Sequence, residues 1–188
     1  HILKGQVRGP HVGYGVVISG QRNEAQLLYV DQGLTDVAEE ASRYDAVLFS
    51  AGSANTTVHT LRTRNAKGVD NAGSRNRIDQ LDQTNLYGRS YRGQGNYGGA
   101  IYANVQQLAA LAETSPVNLQ GEGTFFGTGG GVIEAPAATG EVVLLAGARA
   151  RLGPVQIPDM GAANYGVRLT GADALVQGAV IAVAAGKT

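Results

Sequence analysis

The chain has 188 residues, a formal net charge of zero, 28 glycines, one methionine and neither cysteine nor tryptophan. This length suits a single domain with a sizeable core, and the lack of cysteine excludes a disulfide framework and thiol chemistry. The balanced charge disfavours nucleic acid as a partner, and because no run of eighteen apolar residues occurs, we do not expect insertion into a membrane.

Four segments share one order of residue types: a short apolar strand, a Gly or Ser-Gly turn and a polar corner. They are 14–23, 45–53, 68–74 and 165–178. Segments so far apart and so alike predict one repeated coil, so that residues 1–188 form a single domain. Because the chain begins with His1 rather than Met, within repeat-like sequence, we expect it to be a fragment of a longer protein.

Two neighbouring segments, 51–65 and 72–85, match as Gly-Ser, Asn, a β-branched residue, Leu and a closing Asn. A period of 20 to 21 residues predicts a parallel β-solenoid of about seven to eight coils. The alignment stacks Gly52 on Gly73 and Asn55 on Asn76 at the turn, and Val58 on Ile78 and Leu61 on Leu81 in the interior. Since Val58 and Leu61 are three residues apart, both point inward only if the strand bends between them.

Two segments break this order and are predicted to be short helices inserted at coil corners. Segment 35–43 opens with Asp-Val-Ala-Glu, an acidic variant of the capping box. In segment 104–113, Asn104 would cap the first turn while Gln107 reaches back to it. Such insertions carry binding loops or pack over the coil.

The middle of the chain is cationic, since residues 43–92 contain eight basic and four acidic side chains. An anionic sugar polymer suits a patch of this size, and a solvated face without a partner is the alternative. Segment 85–97 interleaves Tyr, Arg, Asn and Gln among glycines. Aromatic rings stack on the apolar faces of sugars while the polar groups bind their hydroxyls, although this segment also suits a loop whose tyrosines cover a coil edge.

The glycine-rich segment 127–131 lacks the Lys-Ser/Thr ending of a phosphate loop, so it predicts no nucleotide site. From Val132 onward, short apolar runs closed by Gly or Pro predict further strands.

Segments 14–20, 53–58, 73–78 and 165–171 resemble the coils of right-handed parallel β-helix proteins. That group includes pectate-lyase-like polysaccharide lyases, sugar epimerases and the tailspikes with which bacteriophages bind and often cleave host surface polysaccharides. The resemblance implies an all-β fold, a right-handed parallel β-helix, to which we add one or two short helical insertions. No catalytic signature of a lyase or hydrolase family accompanies it.

The same resemblance implies a cell-surface or extracellular polysaccharide as partner, an acidic one in view of the cationic block. It also implies an extracellular or virion-associated location, and a homotrimer or a continuation into further chain. A non-enzymatic β-helical adhesin or a virion or filament structural protein is the alternative. Residues 98–101, Gly-Gly-Ala-Ile, resemble a repeat of autotransporter passenger domains, which are β-helical adhesins.

The repeat alignment places His59 beside Asp79 and Arg62 beside Asp82. A histidine held by a carboxylate serves as a general base near neutral pH, whereas opposite charges on neighbouring strands also pair without a substrate. A glycoside hydrolase requires two carboxylates about 5 to 9.5 Å apart, which Asp79 and Asp82 supply if the strand bends. The candidate catalytic residues are therefore His59, Asp79 and Asp82.

A polysaccharide lyase requires a base and cations that neutralise the charge developing on a uronate. The candidate substrate-binding residues are Arg62, Arg64, Arg75, Arg77, Tyr87, Arg89, Tyr91 and Arg92. His59, Tyr87 or Tyr91 would supply the base. We predict no cofactor. A calcium-assisted version of the reaction stays open as an alternative, but the acidic residues are too scattered to nominate a ligand set, so no metal ligand is proposed. Whether the chain is an enzyme stays open at this point.

Overall fold

The computed structural model of the chain describes residues 2–8, 14–33, 45–64, 66–85, 90–107, 115–136 and 138–182. Within these ranges the chain forms strands, turns and bends, and no helix. The strands are β1 (Ile2–Arg8), β2 (Val16–Ile18), β3 (Glu24–Asp31), β4 (Val47–Phe49), β5 (Thr57–Arg64), β6 (Val69–Asn71), β7 (Arg77–Asn85), β8 (Tyr91–Gly93), β9 (Gly99–Gln107), β10 (Val117–Leu119), β11 (Phe125–Glu134), β12 (Glu141–Leu145), β13 (Arg151–Leu152), β14 (Val155–Asp159), β15 (Tyr165–Leu169), β16 (Leu175–Val176) and β17 (Val180–Ile181).

The strands form two parallel sheets between which the chain alternates. The first sheet has the order β1-β3-β5-β7-β9-β11-β13-β16, with β14 paired to the end of β11 and β17 paired to β14. The second has the order β2-β4-β6-β8-β10-β12-β15. Each turn of the chain adds to both sheets, with two short strands in the first sheet in the later turns. The fold is therefore a parallel β-solenoid, and this prediction is confirmed.

The solenoid has about six turns rather than the predicted seven to eight. The turns are longer than the period of the repeat suggests. Val47 pairs with Val69, 22 residues later, but Tyr91 pairs with Val117 and Val117 with Val143, each 26 residues later.

Stacked apolar side chains fill the interior. Val58 pairs with Ile78 and Leu61 with Leu81, as predicted, and all four are fully buried. Burial of such a side chain stabilises a fold by about 1.5–3 kcal/mol. In the second sheet Val47, Val69, Tyr91, Val117 and Val143 form the matching inward column.

The predicted bend in the long strands of the first sheet is present. In β5 the buried positions are Val58, Leu61 and Thr63, so the alternation of a straight strand is interrupted after Val58. The pairing of β5 with β7 continues on both sides of His59 and Asp79 but skips these two residues. The bend therefore places His59 and Asp79 on the outer surface, side by side.

The turn that precedes the first sheet departs from the predicted alignment by one residue. Ala54 pairs with Ser74, and a β-carbon added to Gly73 would lie 2.1 Å from Ser53 Oγ. Gly73 therefore stacks on Ser53, and the predicted stacking of Gly52 on Gly73 and of Asn55 on Asn76 is wrong. The first segment of the repeat, 51–65, has extra residues in its turn. This turn is closed by a hydrogen bond that Ser53 N donates to Ser50 O, at 2.8 Å.

The predicted helix over 104–113 is wrong for its first four residues, and the rest of it lies outside the described residues. Asn104 and Gln107 belong to β9, which pairs with β7 and β11. Asn104 Oδ1 accepts a hydrogen bond from Val132 N at 3.2 Å instead of capping a helix. Strand pairing on both sides thus overrides the local capping pattern. The other predicted helix, 35–43, also lies outside the described residues.

Candidate functional site

One corner of the solenoid is built from a five-residue unit that begins with glycine and recurs in five successive turns. Successive copies are Gly73-Ser-Arg-Asn-Arg77, Gly95-Asn-Tyr-Gly-Gly99, Gly121-Glu-Gly-Thr-Phe125, Gly147-Ala-Arg-Ala-Arg151 and Gly171-Ala-Asp-Ala-Leu175. The third residue of each copy has a positive φ, between 55° and 61°. The shared left-handed backbone gives this residue the same orientation in each copy. Because the side chains at the third and fifth positions are exposed or half-buried, they form two neighbouring columns on the outer surface.

The first glycine of the unit stacks so closely that no other residue fits. A β-carbon added to Gly121 would lie 2.3 Å from the carbonyl oxygen of Gly95, and one added to Gly147 would lie 2.1 Å from that of Gly121. Contacts this short require the absence of a side chain. The glycine column thus allows the corner backbones to lie as close together as the paired strands do, about 4.8 Å apart, which sets the spacing of the outward side chains.

In the middle turns the two outward columns enclose a groove of about 630 Å³, which we call the corner groove. Its lining residues are Arg77, Tyr97, Ile101, Gly123, Phe125, Thr128, Arg149 and Arg151. Thr128 belongs to a bulge in β11, where three residues separate Phe126 from Gly130 while one separates their partners Ala100 and Tyr102. The glycine-rich segment 127–131 therefore contributes Thr128 to the lining of this groove.

Tyr97 is held over the next turn of the solenoid. A β-carbon on Gly123 would lie 2.6 Å from the Tyr97 ring, so the missing side chain of Gly123 gives the ring its place. The Tyr97 hydroxyl donates to Glu122 Oε1 at 3.0 Å and accepts from Arg149 Nη2 at 3.3 Å. Arg149 and Glu122 also form an ion pair. The ring is thus oriented by its neighbours while 44% of the residue surface remains exposed.

Beside this groove, four charged side chains form a row across three turns. His59 Nε2 lies 3.0 Å from Glu24 Oε1, and His59 Nδ1 lies 2.7 Å from Asp79 Oδ2. Arg77 Nε donates to Asp79 Oδ1 at 2.5 Å. The predicted pairing of His59 with Asp79 is confirmed, and Arg77 links the row to the corner groove.

The row favours the charged form of its members. Hydrogen bonds to Glu24 and then to Asp79 raise the pKa of His59 above its usual value. Partial burial alone would raise the pKa of Asp79, but the hydrogen bonds from Arg77 and His59 outweigh it and lower this pKa. With a carboxylate at each ring nitrogen, His59 is best satisfied as an imidazolium that donates at both positions. Its role as a catalytic base stays a prediction.

The remaining candidates lie in three places. Arg62 pairs with Asp82 as predicted, at 3.6 Å, and with Arg64 it lies on the outer face of β5. Arg75 is exposed at the left-handed position of the corner. Arg92 lies on the outer face of the second sheet, in an ion pair with the buried Asp70. Tyr87 and Arg89 lie outside the described residues.

Tyr91 faces the interior and not the surface, which contradicts its predicted contact with a substrate. It is fully buried, its ring centroid lies 5.2 Å from that of Phe126, and its hydroxyl accepts from Asn71 Nδ2 at 3.0 Å. Burial raises the pKa of Tyr91 further, which also excludes it as a base. The alternation of β8 turns Tyr91 inward and its neighbour Arg92 outward.

Sequence reasoning did not nominate Phe125, Arg149 and Arg151, although a signal for the two arginines was present. The Gly-x-Arg-x-Arg pattern at 73–77 recurs at 147–151. The intervening copies replace these arginines with Tyr97, Gly99, Gly123 and Phe125, which hides the pattern.

The chain matches no protein-family model, no curated protein and no solved structure. Within the described residues, no group of three or more His, Cys, Asp or Glu side chains is placed to hold a metal ion. The geometry of the outer surface is therefore the basis for a functional proposal.

Proposed function

We propose that this β-solenoid binds an acidic polysaccharide in the corner groove. The observation that carries the proposal is the placement of Tyr97 and Phe125 between arginines of neighbouring turns. Aromatic side chains offer apolar faces to sugar rings, and guanidinium groups bind carboxylates through two parallel hydrogen bonds.

The spacing of the arginines supports a linear ligand. Arg77 and Arg151 occupy equivalent positions three strands apart in the first sheet, through the pairs with Gly99 and Phe125. Neighbouring strands are about 4.8 Å apart, so these two positions are about 14 Å apart along the solenoid axis. A polymer with regularly placed acidic groups could contact both while its rings cover Tyr97 and Phe125.

The three arginines that line the corner groove differ in how free they are to bind a ligand. Arg77 is bound to Asp79 and Arg149 to Glu122, whereas Arg151 forms no ion pair with any residue in the described ranges. Arg151 is therefore the cation of the groove most ready to bind an anionic group of the ligand, and Tyr97 is more exposed than Phe125, the other aromatic residue of the groove.

The proposal is for binding without cleavage. Both ring nitrogens of His59 are engaged by carboxylates. The residues that line the groove are cationic, aromatic, aliphatic or small. The extracellular or virion-associated location and the homotrimer stay predictions.

The test is the affinity of the chain for oligogalacturonate, measured by calorimetry, in the variants Tyr97→Ala and Arg151→Gln. We expect each variant to weaken binding about tenfold, from the loss of a stacking surface or a charged hydrogen bond. Tyr165→Ala and Arg22→Gln are matched controls, since Tyr165 is exposed on another sheet and Arg22 has the same left-handed corner position two turns before Arg75. Unchanged affinity in both groove variants would refute the proposal.

Product analysis of the same mixtures tests the absence of cleavage. New reducing ends would indicate a hydrolase, and an unsaturated product with ultraviolet absorbance would indicate a lyase. Either product, if its formation requires His59, would restore the catalytic prediction.

A further inference from the structure

The outer face of the first three strands of the first sheet carries a second cluster of cations, far from the corner groove along the strands. The pairing of β1, β3 and β5 places nine outward residues in three rows of three. The rows are Lys4, Leu27 and Thr60; then Gln6, Tyr29 and Arg62; then Arg8, Asp31 and Arg64. We call these nine residues the N-terminal patch.

The N-terminal patch has a formal charge of +3, from Lys4, Arg8, Arg62 and Arg64 against Asp31. Strands are about 4.8 Å apart and alternate residues about 6.7 Å apart, so these charges occupy an area of about 10 by 13 Å. Like charges at such distances repel one another, and an anion bound among them relieves the repulsion.

These cations are largely free of ion pairs. Lys4, Arg8 and Arg64 form none with the residues that the structure describes, and Arg62 is 3.6 Å from Asp82 with both side chains about half exposed. Asp31, the acid within the patch, accepts a hydrogen bond from Gly33 N at 3.0 Å. The cations therefore keep their capacity to donate to a ligand.

The centre of the N-terminal patch is aromatic and partly organised. The guanidinium carbon of Arg8 lies 5.3 Å from the centroid of the Tyr29 ring, within the range of a cation–π contact. A pocket of about 390 Å³ opens between Lys4, Arg8, Leu27, Tyr29 and Arg62. It brings three cations to one cavity, with Leu27 and Tyr29 as the apolar surface.

We infer that the N-terminal patch is a second binding site, one that takes the acidic group of a uronic acid or another carboxylated sugar. Lys4, Arg8 and Arg62 bind the carboxylate, and the sugar ring contacts Leu27 and Tyr29. The site does not depend on the corner groove, since it uses other strands and other side chains.

The experiment compares two probes of equal length, oligogalacturonate and its fully methyl-esterified form, which has the same rings without charges. The double variant Lys4→Gln and Arg8→Gln, which removes two of the three cations that line the pocket, is titrated with both. We expect about a tenfold loss of affinity for the acidic probe or more, no change for the neutral one, and a weaker dependence of affinity on salt. Arg168→Gln is the matched control, since Arg168 is exposed on the other sheet near Glu141.

Two outcomes would overturn the inference. In one, affinity for the acidic probe in the double variant stays within a factor of two of the unaltered chain. In the other, affinity falls equally for both probes, which would mean that charge is not recognised. Failure of the corner groove is distinguishable, because Tyr97→Ala removes a stacking surface and lowers affinity for both probes. Far-ultraviolet circular dichroism verifies that each variant is folded.

Discussion

The corner groove and the N-terminal patch both combine arginines with a tyrosine, but they hold their charges differently. In the groove, Arg77 and Arg149 are bound to acidic neighbours and Tyr97 is oriented by two hydrogen bonds. In the patch, Arg8 and Arg64 form no ion pair with the described residues. The groove thus presents a shaped, nearly neutralised surface, and the patch presents net charge. We expect stacking to dominate in the groove and salt-sensitive attraction in the patch.

The largest effect should follow from disrupting the glycine column beneath the groove. In Gly121→Val the new side chain meets the backbone of Gly95, whose carbonyl oxygen would be 2.3 Å from the β-carbon. We expect a loss of more than about 3 kcal/mol in the free energy of unfolding, measured with denaturant. Because a solenoid turn contacts only its neighbours, binding in the groove should be lost while the N-terminal patch still binds.

Gly52→Ala is the matched control for this prediction. Gly52 is exposed in its turn, and a β-carbon there would have no atom within 4 Å. Its stability should stay within about 0.5 kcal/mol of the unaltered chain. If Gly121→Val were as stable as Gly52→Ala, the close stacking of the corner would be disproved.

A smaller effect is expected from Tyr91→Phe. This variant tests a tyrosine of the core, in contrast to the exposed Tyr97 and the partly exposed Tyr29. The Asn71 Nδ2 group, buried in the core, loses its acceptor, the Tyr91 hydroxyl at 3.0 Å, and is left with the long contact to Asn76 O at 3.5 Å. An unsatisfied buried donor costs about 1–3 kcal/mol. We expect the free energy of unfolding to fall by this amount with no change in sugar affinity; a change in affinity alone would make Tyr91 a ligand residue.

The repeat predicted more of the fold than of the site. Its β-branched and leucine positions identified the inward columns, because these depend on strand alternation and on like residues stacking. The same alignment correctly placed His59 beside Asp79. It was off by one residue at Gly52 and Asn55, since a turn accepts extra residues without disturbing the strands on either side.

The members of the groove were harder to predict, because they come from turns that differ in sequence. Tyr97 and Gly123 share a backbone conformation rather than a residue type, and Phe125 and Arg151 become neighbours only through the pairing of β11 with β13. In the same way, Lys4 and Arg8 join Arg62 through a register that one isolated strand cannot reveal. Tyr91 was misassigned because the segment 85–97 reads as a loop, whereas it contains a three-residue strand with an inward face.

The row of charged side chains formed by Glu24, His59, Asp79 and Arg77 should make the stability of the fold depend on pH. The pKa of His59 is raised in the folded chain, so its contribution is complete below the usual value of 6.5 and is lost as pH rises through the raised pKa. The lowered pKa of Asp79 acts in the opposite direction, since its contribution is present above the usual value of 3.8 and is lost as pH falls through the lowered pKa.

Thermal unfolding measured across this range should therefore show a decline on the alkaline side that is absent in His59→Gln. The acidic decline should persist in that variant, because Arg77 still binds Asp79. Identical profiles above pH 6.5 in both proteins would show that the imidazole does not bridge the three turns as a cation.

The smallest expected effect comes from removing one positive charge in each region, which should change the free energy of unfolding in opposite directions. In Arg77→Gln the bond to Asp79 is lost, and because the pair is partly exposed we expect a destabilisation of at most about 1 kcal/mol. In Arg64→Gln no ion pair is lost. Removing this charge relieves repulsion from the three other cations of the patch and gives up attraction to the one acid, Asp31, so the chain should become slightly more stable at low ionic strength. Denaturant unfolding at low and high salt measures both. Since salt screens the repulsion, the gain in stability of Arg64→Gln should vanish at high salt. A loss of stability at low salt would instead mean that Arg64, like Arg77, is bound by neighbouring side chains and is not available to a ligand.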